Sequence, residues 1–250
     1  RVKYILNTWF NQAKKQTYFI TDRESLELNK TTNGHAVKTS CRKRRGHSDL
    51  SCKTGLSFDL YVKSDKRWWC HVDDDNYVNV QLLVKLLEKL DWRKDVYLGR
   101  QSVPHQLRGT YEGKRTRFVF ASTGAGVCIS KTLSKKMAPW TGNGKFLETS
   151  RIIGRPDDIT LGFIINGLLK VTLTSTDLFH SHLETLAKIE PTTLQKQAIL
   201  SQKAPTNVLN ISKNVTNTTV FNLEEDPSRF YSLHCIIHPE SQLCNAKWLH

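Results

Sequence analysis

Three consecutive carboxylates, Asp73–Asp75, come directly after the largely apolar stretch Trp68–Val72. The apolar residues predict a buried strand that ends where the acids begin. Adjacent carboxylates repel one another, so a strand end of this kind favours a bound cation. Hard divalent cations bind carboxylate oxygens and can bridge them to phosphates, which predicts a metal-dependent phosphate site. The alternative is a solvated acidic turn that caps the following helix, although such turns seldom follow so apolar a run.

Two further acids, Asp157 and Asp158, follow Pro156 and precede an apolar run. Proline is common in the first turn of a helix, and acids there are favoured by the helix dipole. A helix start therefore explains both acids almost completely. The functional alternative is that one of them faces a cleft and acts as a general base. The residues alone leave both interpretations open.

His180 and His182 lie two residues apart in the stretch Leu178–Glu184. In an extended strand end, both side chains point to the same side. A histidine nitrogen together with a carboxylate suits Mn²⁺ or another first-row divalent ion. A His-x-His pair by itself, however, is more often not a metal site.

The elements that must hold these residues alternate between strands and helices, which predicts an α/β fold. A strand is expected over Trp68–Asp75, and the helix over Val80–Leu90 has Asp75 or Asn76 as its expected N-cap. Thr123–Gly126 is a glycine turn, which either forms a wall for a bound sugar or is simply tight. Ser102–Arg117 is predicted to be polar and irregular, and Pro191–Thr219, which is polar and rich in β-branched residues and sequons, is predicted to be a surface segment.

Composition bounds the fold and the partners. The 250 residues fit one large α/β domain or two small ones. The formal net charge of +14 has two interpretations: a polyanionic partner, such as nucleic acid or a sulphated glycan, or a positive field around a diphosphate-bearing substrate. Part of this charge lies in the basic run Lys38–Arg45, which is predicted to be a solvated loop.

Six cysteines and four N-x-S/T sequons favour a secretory-pathway lumen. The even cysteine count without a C-x-x-C pair suits three disulfides rather than a zinc site. No apolar run approaches the ~18 residues of a membrane span, and no signal peptide heads the chain. Because the chain begins at Arg1 without a Met, upstream sequence is expected. The sequons stand at Asn29, Asn210, Asn214 and Asn217.

Five stretches, taken together and in order, resemble the Fringe glycosyltransferases: Trp69–Val78, Pro156–Asp158, Phe179–Glu184, Glu225–Phe230 and Ser232–Cys235. The resemblance runs from Arg1 to about Cys244. It implies a glycosyltransferase-A fold, with a Rossmann-like mixed sheet flanked by helices, in one catalytic domain over residues 1–250. It also implies an inverting enzyme that transfers N-acetylglucosamine from UDP-N-acetylglucosamine to O-linked fucose, in a β1,3 linkage and with Mn²⁺. The acceptors it implies are EGF-like repeats, notably those of Notch.

The resemblance also implies roles for individual residues. Asp75 and His182 would hold the metal, and Asp74 would contact the donor. Asp158 would be the catalytic base, and Arg1 falls where the family has a nucleotide-binding arginine. The implied disulfides are Cys41–Cys52, Cys70–Cys128 and Cys235–Cys244.

The implied setting is the lumenal side of the Golgi membrane, so an anchor, a stem and a first strand are expected ahead of Arg1. Membrane contact is expected only through that anchor, and no nucleic-acid partner is expected. The sequence departs from the family pattern at Thr123, where glycine is usual, and in Ser102–Arg117, which is shorter. A related transferase with another UDP-sugar or acceptor and a non-catalytic basic glycan-binding module are the alternatives.

Overall fold

The computed structural model of the chain describes residues 1–41, 46–212 and 219–245. Residues 42–45 of the basic run and the sequons at Asn214 and Asn217 lie outside these residues. The helices are α1 (Val2–Leu6), α2 (Leu26–Thr31), α3 (His47–Val62), α4 (Val80–Glu88), α5 (Lys131–Thr141), α6 (Lys145–Ile153), α7 (Asp157–Gly162), α8 (Phe230–Ile237) and α9 (Gln242–Asn245). The strands are β1 (Phe19–Thr21), β2 (Ala36–Lys38), β3 (Trp68–His71), β4 (Asn76–Val78), β5 (Tyr97–Gly99), β6 (Leu107–Tyr111), β7 (Lys114–Phe118), β8 (Val127–Ser130), β9 (Leu173–Ser175), β10 (Phe179–His180) and β11 (Ile199–Ser201).

The strands form small mixed sheets that helices cover. β3, β8, β5 and β9 lie side by side in that order, and β10, β11 and β4 form a second sheet. β1 and β2 pair in parallel, whereas β6 and β7 form an antiparallel hairpin. This arrangement confirms the predicted α/β fold class. None of the described helices is both long enough and apolar enough to cross a membrane.

The acid triplet, Asp73–Asp75, joins the two larger sheets. The single strand predicted over Trp68–Asp75 is wrong, because β3 ends at His71 and β4 begins a new sheet at Asn76. A tight turn causes the break: the Asp73 amide donates to Asn76 Oδ1 at 2.7 Å, and the Asn76 amide donates to the Asp73 carbonyl at 3.1 Å. The acids therefore lie between strands rather than in one.

Each side of the triplet is anchored in a different hydrophobic cluster. Trp69 packs with side chains of the four-stranded sheet and of α3, α5, α6 and α7. Tyr77 packs with side chains of α1, β11 and α8. Because both neighbours of the triplet are fixed by apolar burial, the carboxylates are held in place from two directions.

Near the triplet, the structure differs from the prediction at the N-cap of α4 and at the strand that pairs with β4. The N-cap of α4 is Asn79, whose Oδ1 accepts from the Leu82 amide at 3.2 Å, and not Asp75 or Asn76. The reason is that Asn76–Val78 is used to pair with β11. That partner strand lies inside the segment predicted to be polar surface, yet Ile199 and Leu200 are fully buried because the strand is central in its sheet.

Ser102–Arg117 is also more regular than predicted, since it contains most of the β6–β7 hairpin. The connecting residues Glu112 and Gly113 have φ of +48° and +76°. Positive φ at both central residues is the geometry of a type I′ turn, which matches the twist of the flanking strands. In the sequence, only Gly113 indicates this turn.

The disulfide pairing implied by the family resemblance is confirmed. The bonds are Cys41–Cys52, Cys70–Cys128 and Cys235–Cys244, and no described cysteine is free. Cys70 and Cys128 are register partners on β3 and β8. This bond therefore ties together two neighbouring strands just ahead of the acid triplet.

Candidate active site

The acid triplet faces a guanidinium group from the start of the chain. Arg1 Nη1 lies 3.0 Å from Asp74 Oδ1 and 3.4 Å from Asp75 Oδ2. Asp74 is more than half exposed, whereas Asp75 is only 6% exposed. Arg1 thus bridges a solvent-facing acid and a buried one, and the structure brings together both residues predicted to contact the donor.

Asp75 is also held by the strand opposite it. Ser201 Oγ donates to Asp75 Oδ1 at 3.3 Å, and the Gln202 amide donates to the Asp75 carbonyl at 3.0 Å. Burial, followed by repulsion from Asp73, raises the pKa of Asp75 to about 6. A buried carboxylate of this kind is stabilised in its charged form by a nearby cation.

His182 approaches the same carboxylate from the end of β10. Its Nδ1 lies 3.8 Å from Asp75 Oδ2 and 3.2 Å from Ser201 Oγ. Asn207 Nδ2 donates to the His182 carbonyl at 2.8 Å and fixes the backbone. Metal–nitrogen and metal–oxygen bonds of roughly 2.0–2.2 Å allow one small divalent ion to contact two atoms at this separation, so the pair fits a metal.

His180 does not join this site, although a shared side was expected from the strand geometry. Its Nδ1 lies 3.2 Å from Glu184 Oε2, and its Nε2 lies 3.0 Å from Gln197 Oε1. β10 ends at His180, and the chain turns at Ser181, whose Oγ accepts from the Leu183 amide. The alternation of a strand therefore stops before His182.

Among the residues that the structure describes, no three His, Cys, Asp or Glu side chains converge as a complete metal site. Asp75 and His182 would supply two ligands and leave the others to water or substrate. This is typical of sites in which an ion binds the protein through few side chains and substrate phosphates as well.

Asp158 lies at the start of α7 with its Oδ1 accepting from the Ile159 amide at 2.7 Å. Burial raises the pKa of Asp158 to about 6, and repulsion from Asp157 and, more weakly, from Asp73 adds to the shift. A carboxylate with such a pKa is ionised at neutral pH and is more basic than an exposed one, which suits a general base. The dipole of α7 favours the ionised form of Asp158 but does not account for the rise in its pKa.

Asp157 has a different environment from its neighbour. It is buried, and Thr54 Oγ1 from α3 donates to its Oδ2 at 2.7 Å. The carboxylate thus joins two helices, which is the structural role that the sequence suggested as the alternative to catalysis. Of the two adjacent acids, Asp157 therefore has a structural role, and Asp158 remains the candidate for the general base.

His71 was not among the candidate site residues predicted from the sequence, yet its side chain contacts the acid triplet. Its Nε2 is 3.5 Å from Asp73 Oδ1. Burial opposes the charged imidazolium, but Asp73 and, more weakly, Asp157 outweigh burial and raise the pKa of His71. The spacing His71-x-Asp73 at a strand end was the available signal for this contact.

The glycine turn, Thr123–Gly126, packs beside His182, one of the two candidate metal ligands. Asn76 Nδ2 donates to the Gly124 carbonyl at 3.0 Å, and a Cβ on Gly124 would lie 3.6 Å from His182 Cε1. Gly126 has φ of +87°, and a Cβ there would lie 2.5 Å from Ile199 Cδ1. The turn is therefore tight for packing reasons, and a role as a sugar-binding wall stays a prediction.

Comparison with known proteins places this sequence in a family. The sequence profile described as Fringe-like matches residues 1–241. The chain is 41% identical over 249 residues to the β-1,3-N-acetylglucosaminyltransferase lunatic fringe of Danio rerio, covering 98% of this chain and 66% of that protein. It is 42% identical over 250 residues to the Fringe glycosyltransferase of Drosophila melanogaster, covering 98% and 60%. Against the β-1,3-N-acetylglucosaminyltransferase manic fringe of Homo sapiens it is 41% identical over 249 residues, covering 98% and 77%.

The chain thus spans about two thirds of the length of these relatives, and nearly all of it is matched. The stretches that carry the resemblance in the sequence include the acid triplet, His182 and Asp158. Asp75 and His182 lie 3.8 Å apart, and Asp158 is close enough for the charge of Asp73 to add to the rise in its pKa, which burial mainly causes. The chain belongs to the Fringe-like family.

Proposed function

We propose that this chain is the catalytic part of an inverting β1,3-N-acetylglucosaminyltransferase that moves the sugar from UDP-N-acetylglucosamine to O-linked fucose on EGF-like repeats of Notch-type receptors. The names of its relatives support the sugar and the linkage. The observation that carries the proposal is the 3.8 Å pairing of Asp75 with His182, and the raised pKa of the Asp158 carboxyl supports it. The acceptor follows from the family resemblance.

The metal proposed is Mn²⁺, with Asp75 and His182 as its protein ligands. When bound, such an ion stabilises the negative charge that develops on a diphosphate leaving group. Asp74 is exposed enough to contact the donor, and Arg1 adds a positive charge beside it. Ser201 holds Asp75 from the opposite strand and positions it for the ion.

The chemical step proposed for Asp158 is proton transfer from the acceptor. Asp158 takes the proton of the fucose hydroxyl as its oxygen attacks the anomeric carbon of the donor sugar. The bond between that carbon and the diphosphate breaks, UDP leaves with the bonding electrons, and the configuration inverts. A carboxylate on the face opposite the leaving group is the arrangement of inverting glycosidases, here with a sugar hydroxyl in place of water.

The proposed location is the lumenal side of the Golgi membrane, reached through an N-terminal anchor. Three disulfides indicate an oxidising compartment. Of the four sequons, Asn29 and Asn210 lie in the described residues, and both side chains are exposed. Both observations fit a lumenal glycoprotein, and no nucleic acid is needed to explain the site.

The direct test uses the chain with UDP-N-acetylglucosamine, Mn²⁺ and an O-fucosylated EGF-like repeat. Mass spectrometry should show the repeat gaining one N-acetylhexosamine, and EDTA should abolish the gain until Mn²⁺ is restored. His182→Ala should weaken binding of Mn²⁺ with UDP. Transfer that continues unchanged in EDTA would remove the metal assignment.

The two adjacent acids provide a matched pair of variants. Asp158→Asn should bind donor and Mn²⁺ nearly normally but lose transfer by roughly 10²–10⁴-fold, the usual range for a general base. Asp157→Asn should mainly reduce stability, because the Thr54 contact joins two helices. If the Asp157 variant is inactive while the Asp158 variant transfers normally, the base has been misassigned.

Two measurements distinguish the proposed function from its alternatives, a transferase with another donor sugar and a non-catalytic binding module. A panel of UDP-sugars in a donor-hydrolysis assay tells whether another sugar is preferred on the same scaffold. The net charge of +14 favours a second candidate, a non-catalytic module that binds sulphated glycans. Heparin affinity that is unaffected by Mn²⁺ and UDP, with no transfer to any acceptor, would support that candidate.

A further inference from the structure

The β6–β7 hairpin has one face committed to the core. A Cβ on Gly109 would lie 2.5 Å from Phe163 Cε2, so only glycine permits the hairpin to lie this close. The rings of Phe118 and Tyr111 also contact Phe163, at centroid distances of 5.2 and 6.5 Å. The hairpin is therefore packed firmly on the segment that follows α7.

The opposite face carries a concentration of positive charge. In the antiparallel register, Arg108 lies directly across from Arg117, and Thr110 lies across from Arg115. All four residues are exposed. We call them the basic face of the hairpin. Like charges directly opposite each other destabilise a strand pair, so this face has a cost that an anionic partner would remove.

In the described part of the chain, no carboxylate forms a salt bridge with the arginines of the basic face. There, the arginines in salt bridges are Arg1, Arg93 and Arg100, and none of them belongs to the hairpin. The hairpin's own acid, Glu112, lies in the turn. The three arginines of the basic face are thus left available to an external anion.

The hairpin is also connected to the candidate base through the residues that follow it. Helix α7, which carries Asp158, packs so closely on the segment after β7 that a Cβ on Gly162 would lie 2.2 Å from Phe120 Cβ. The next residue, Ala121, donates its amide to Tyr97 Oη at 2.9 Å. Burial raises the pKa of Tyr97, and the charge of Asp158 adds a smaller rise. The hairpin is therefore joined, through α7 and the residues after Phe118, to the part of the site that holds Asp158.

We propose that the basic face of the hairpin docks the polypeptide that carries the acceptor sugar and that it selects acidic polypeptides. The inference rests on the proposed function, because it takes Asp158 as the acceptor-side base. A sugar whose hydroxyl reaches Asp158 leaves its attached polypeptide beside α7, within reach of the hairpin packed there. Complementary charge at such a rim speeds encounter and fixes orientation, and its contribution falls as salt rises.

The test compares protein and small-molecule acceptors. The variant Arg108→Glu/Arg117→Glu reverses the charge of the basic face. The control Lys85→Glu/Lys89→Glu makes the same change in net charge at two exposed positions, one on α4 and one directly after it. For an acidic O-fucosylated EGF-like repeat, KM should rise about tenfold in the hairpin variant and remain near the wild-type value in the control. Transfer to a small aryl fucoside should be equal in all three proteins, which also shows that the hairpin variant is folded.

Two further arms make the outcome decisive. A neutral version of the same repeat should show little difference between wild type and variant, and added NaCl should raise KM only for the acidic repeat. An unchanged KM for the acidic repeat overturns the proposal, as does loss of heparin affinity alone, which would assign the face to sulphated glycans. If the wild type transfers to neither acceptor, the proposed function fails. Calorimetric binding of the acidic repeat to wild type and variant then tests the docking face by itself.

Discussion

The pKa of Asp158 determines the pH dependence that we expect for the reaction. Its neighbours Asp157, Asp73 and Tyr97 provide no positive charge, and its pKa is raised to about 6 mainly by burial. Protonated Asp158 cannot accept the hydroxyl proton. We therefore expect the transfer rate to fall about tenfold for each pH unit below about 6, as for a single essential base. A pH profile of kcat that stays flat down to pH 5 would contradict this role.

The same carboxylate should weaken the folded state at neutral pH. Because its pKa is higher in the folded protein than in the unfolded chain, the folded state binds the proton more tightly, and stability falls as pH rises through about 6. Asp158→Asn should then raise the free energy of unfolding at pH 7.5 by roughly 1–3 kcal/mol. The gain should shrink toward pH 5, which urea unfolding at both pH values measures. An inactive but more stable variant would separate catalysis from folding.

His71 illustrates what a single residue type leaves undecided. A histidine inside an apolar lead-in is most simply a core residue, and nothing in its own sequence position identifies its partner. The contact with Asp73 exists because the chain turns tightly at Asn76. Side-chain partners of this kind depend on the turn geometry, which the sequence predicted less well than the strand itself.

At the scale of elements, the three disulfides should differ in their contribution. Cys70 and Cys128 are separated by 58 residues, and Cys235 and Cys244 by 9. In the chain-entropy model, removing the disulfide that closes the longer loop lowers the free energy of unfolding by about 4 kcal/mol at 25 °C. Removing the one that closes the shorter loop lowers it by about 2.6 kcal/mol. Pairwise Cys→Ala variants compared by guanidinium unfolding measure this difference. An equal loss for both pairs would mean that native packing, and not loop length, sets the contribution.

The hairpin turn offers a stabilising substitution. Glu112 has φ of +48°, a conformation that costs a residue with a β-carbon roughly 1–2 kcal/mol, and asparagine tolerates it better. Glu112→Asn should therefore raise stability by about 0.5–1 kcal/mol, whereas Gly113→Ala should lower it by at least about 1 kcal/mol. Thermal unfolding of both variants checks the sign. A loss of stability in Glu112→Asn would show that the carboxylate makes a contact that outweighs its backbone strain.

Elements with strong periodicity were predictable, and those set by neighbours were not. The helix after the acid triplet follows from its apolar spacing, and the strand of Trp69 follows from its apolar run. β11 was missed because its three residues are flanked by polar ones, and only its central place in a sheet buries them. The hairpin was missed because one of its faces is entirely polar.

For the whole molecule, ligand binding should couple distant parts of the chain. Asp75 directly precedes β4 and His182 follows β10, the two edge strands of one sheet that are far apart in the sequence. An ion held by both would therefore stabilise the folded state alone. At 100 times its Kd, Mn²⁺ with UDP should add about 2.7 kcal/mol, or roughly 5–10 °C in Tm for a chain of this size. The shift should persist in Asp158→Asn and vanish in His182→Ala. Equal shifts in all three proteins would place the ion elsewhere.

The α/β fold of glycosyltransferase-A type was predictable for the molecule as a whole, because several stretches matched one family in order. Residue proximity was only partly predictable. Asp74, Asp75, His182 and Arg1 were each named from the resemblance, and the structure places them together. Ser201, which contacts both Asp75 and His182, had no sequence signal, because a serine in a short apolar strand is ordinary.

The pairing of β4 with β11 has a consequence for biosynthesis. Asp75 and Ser201 are 126 residues apart, so a ribosome adding about 5–20 residues per second needs roughly 6–25 s to deliver the serine after the acid. During that interval the nascent chain presents three carboxylates without the strand that holds them. The site is thus among the last parts of the fold to close, and a chain interrupted before residue 201 carries the acids but neither Ser201 nor the strand around it.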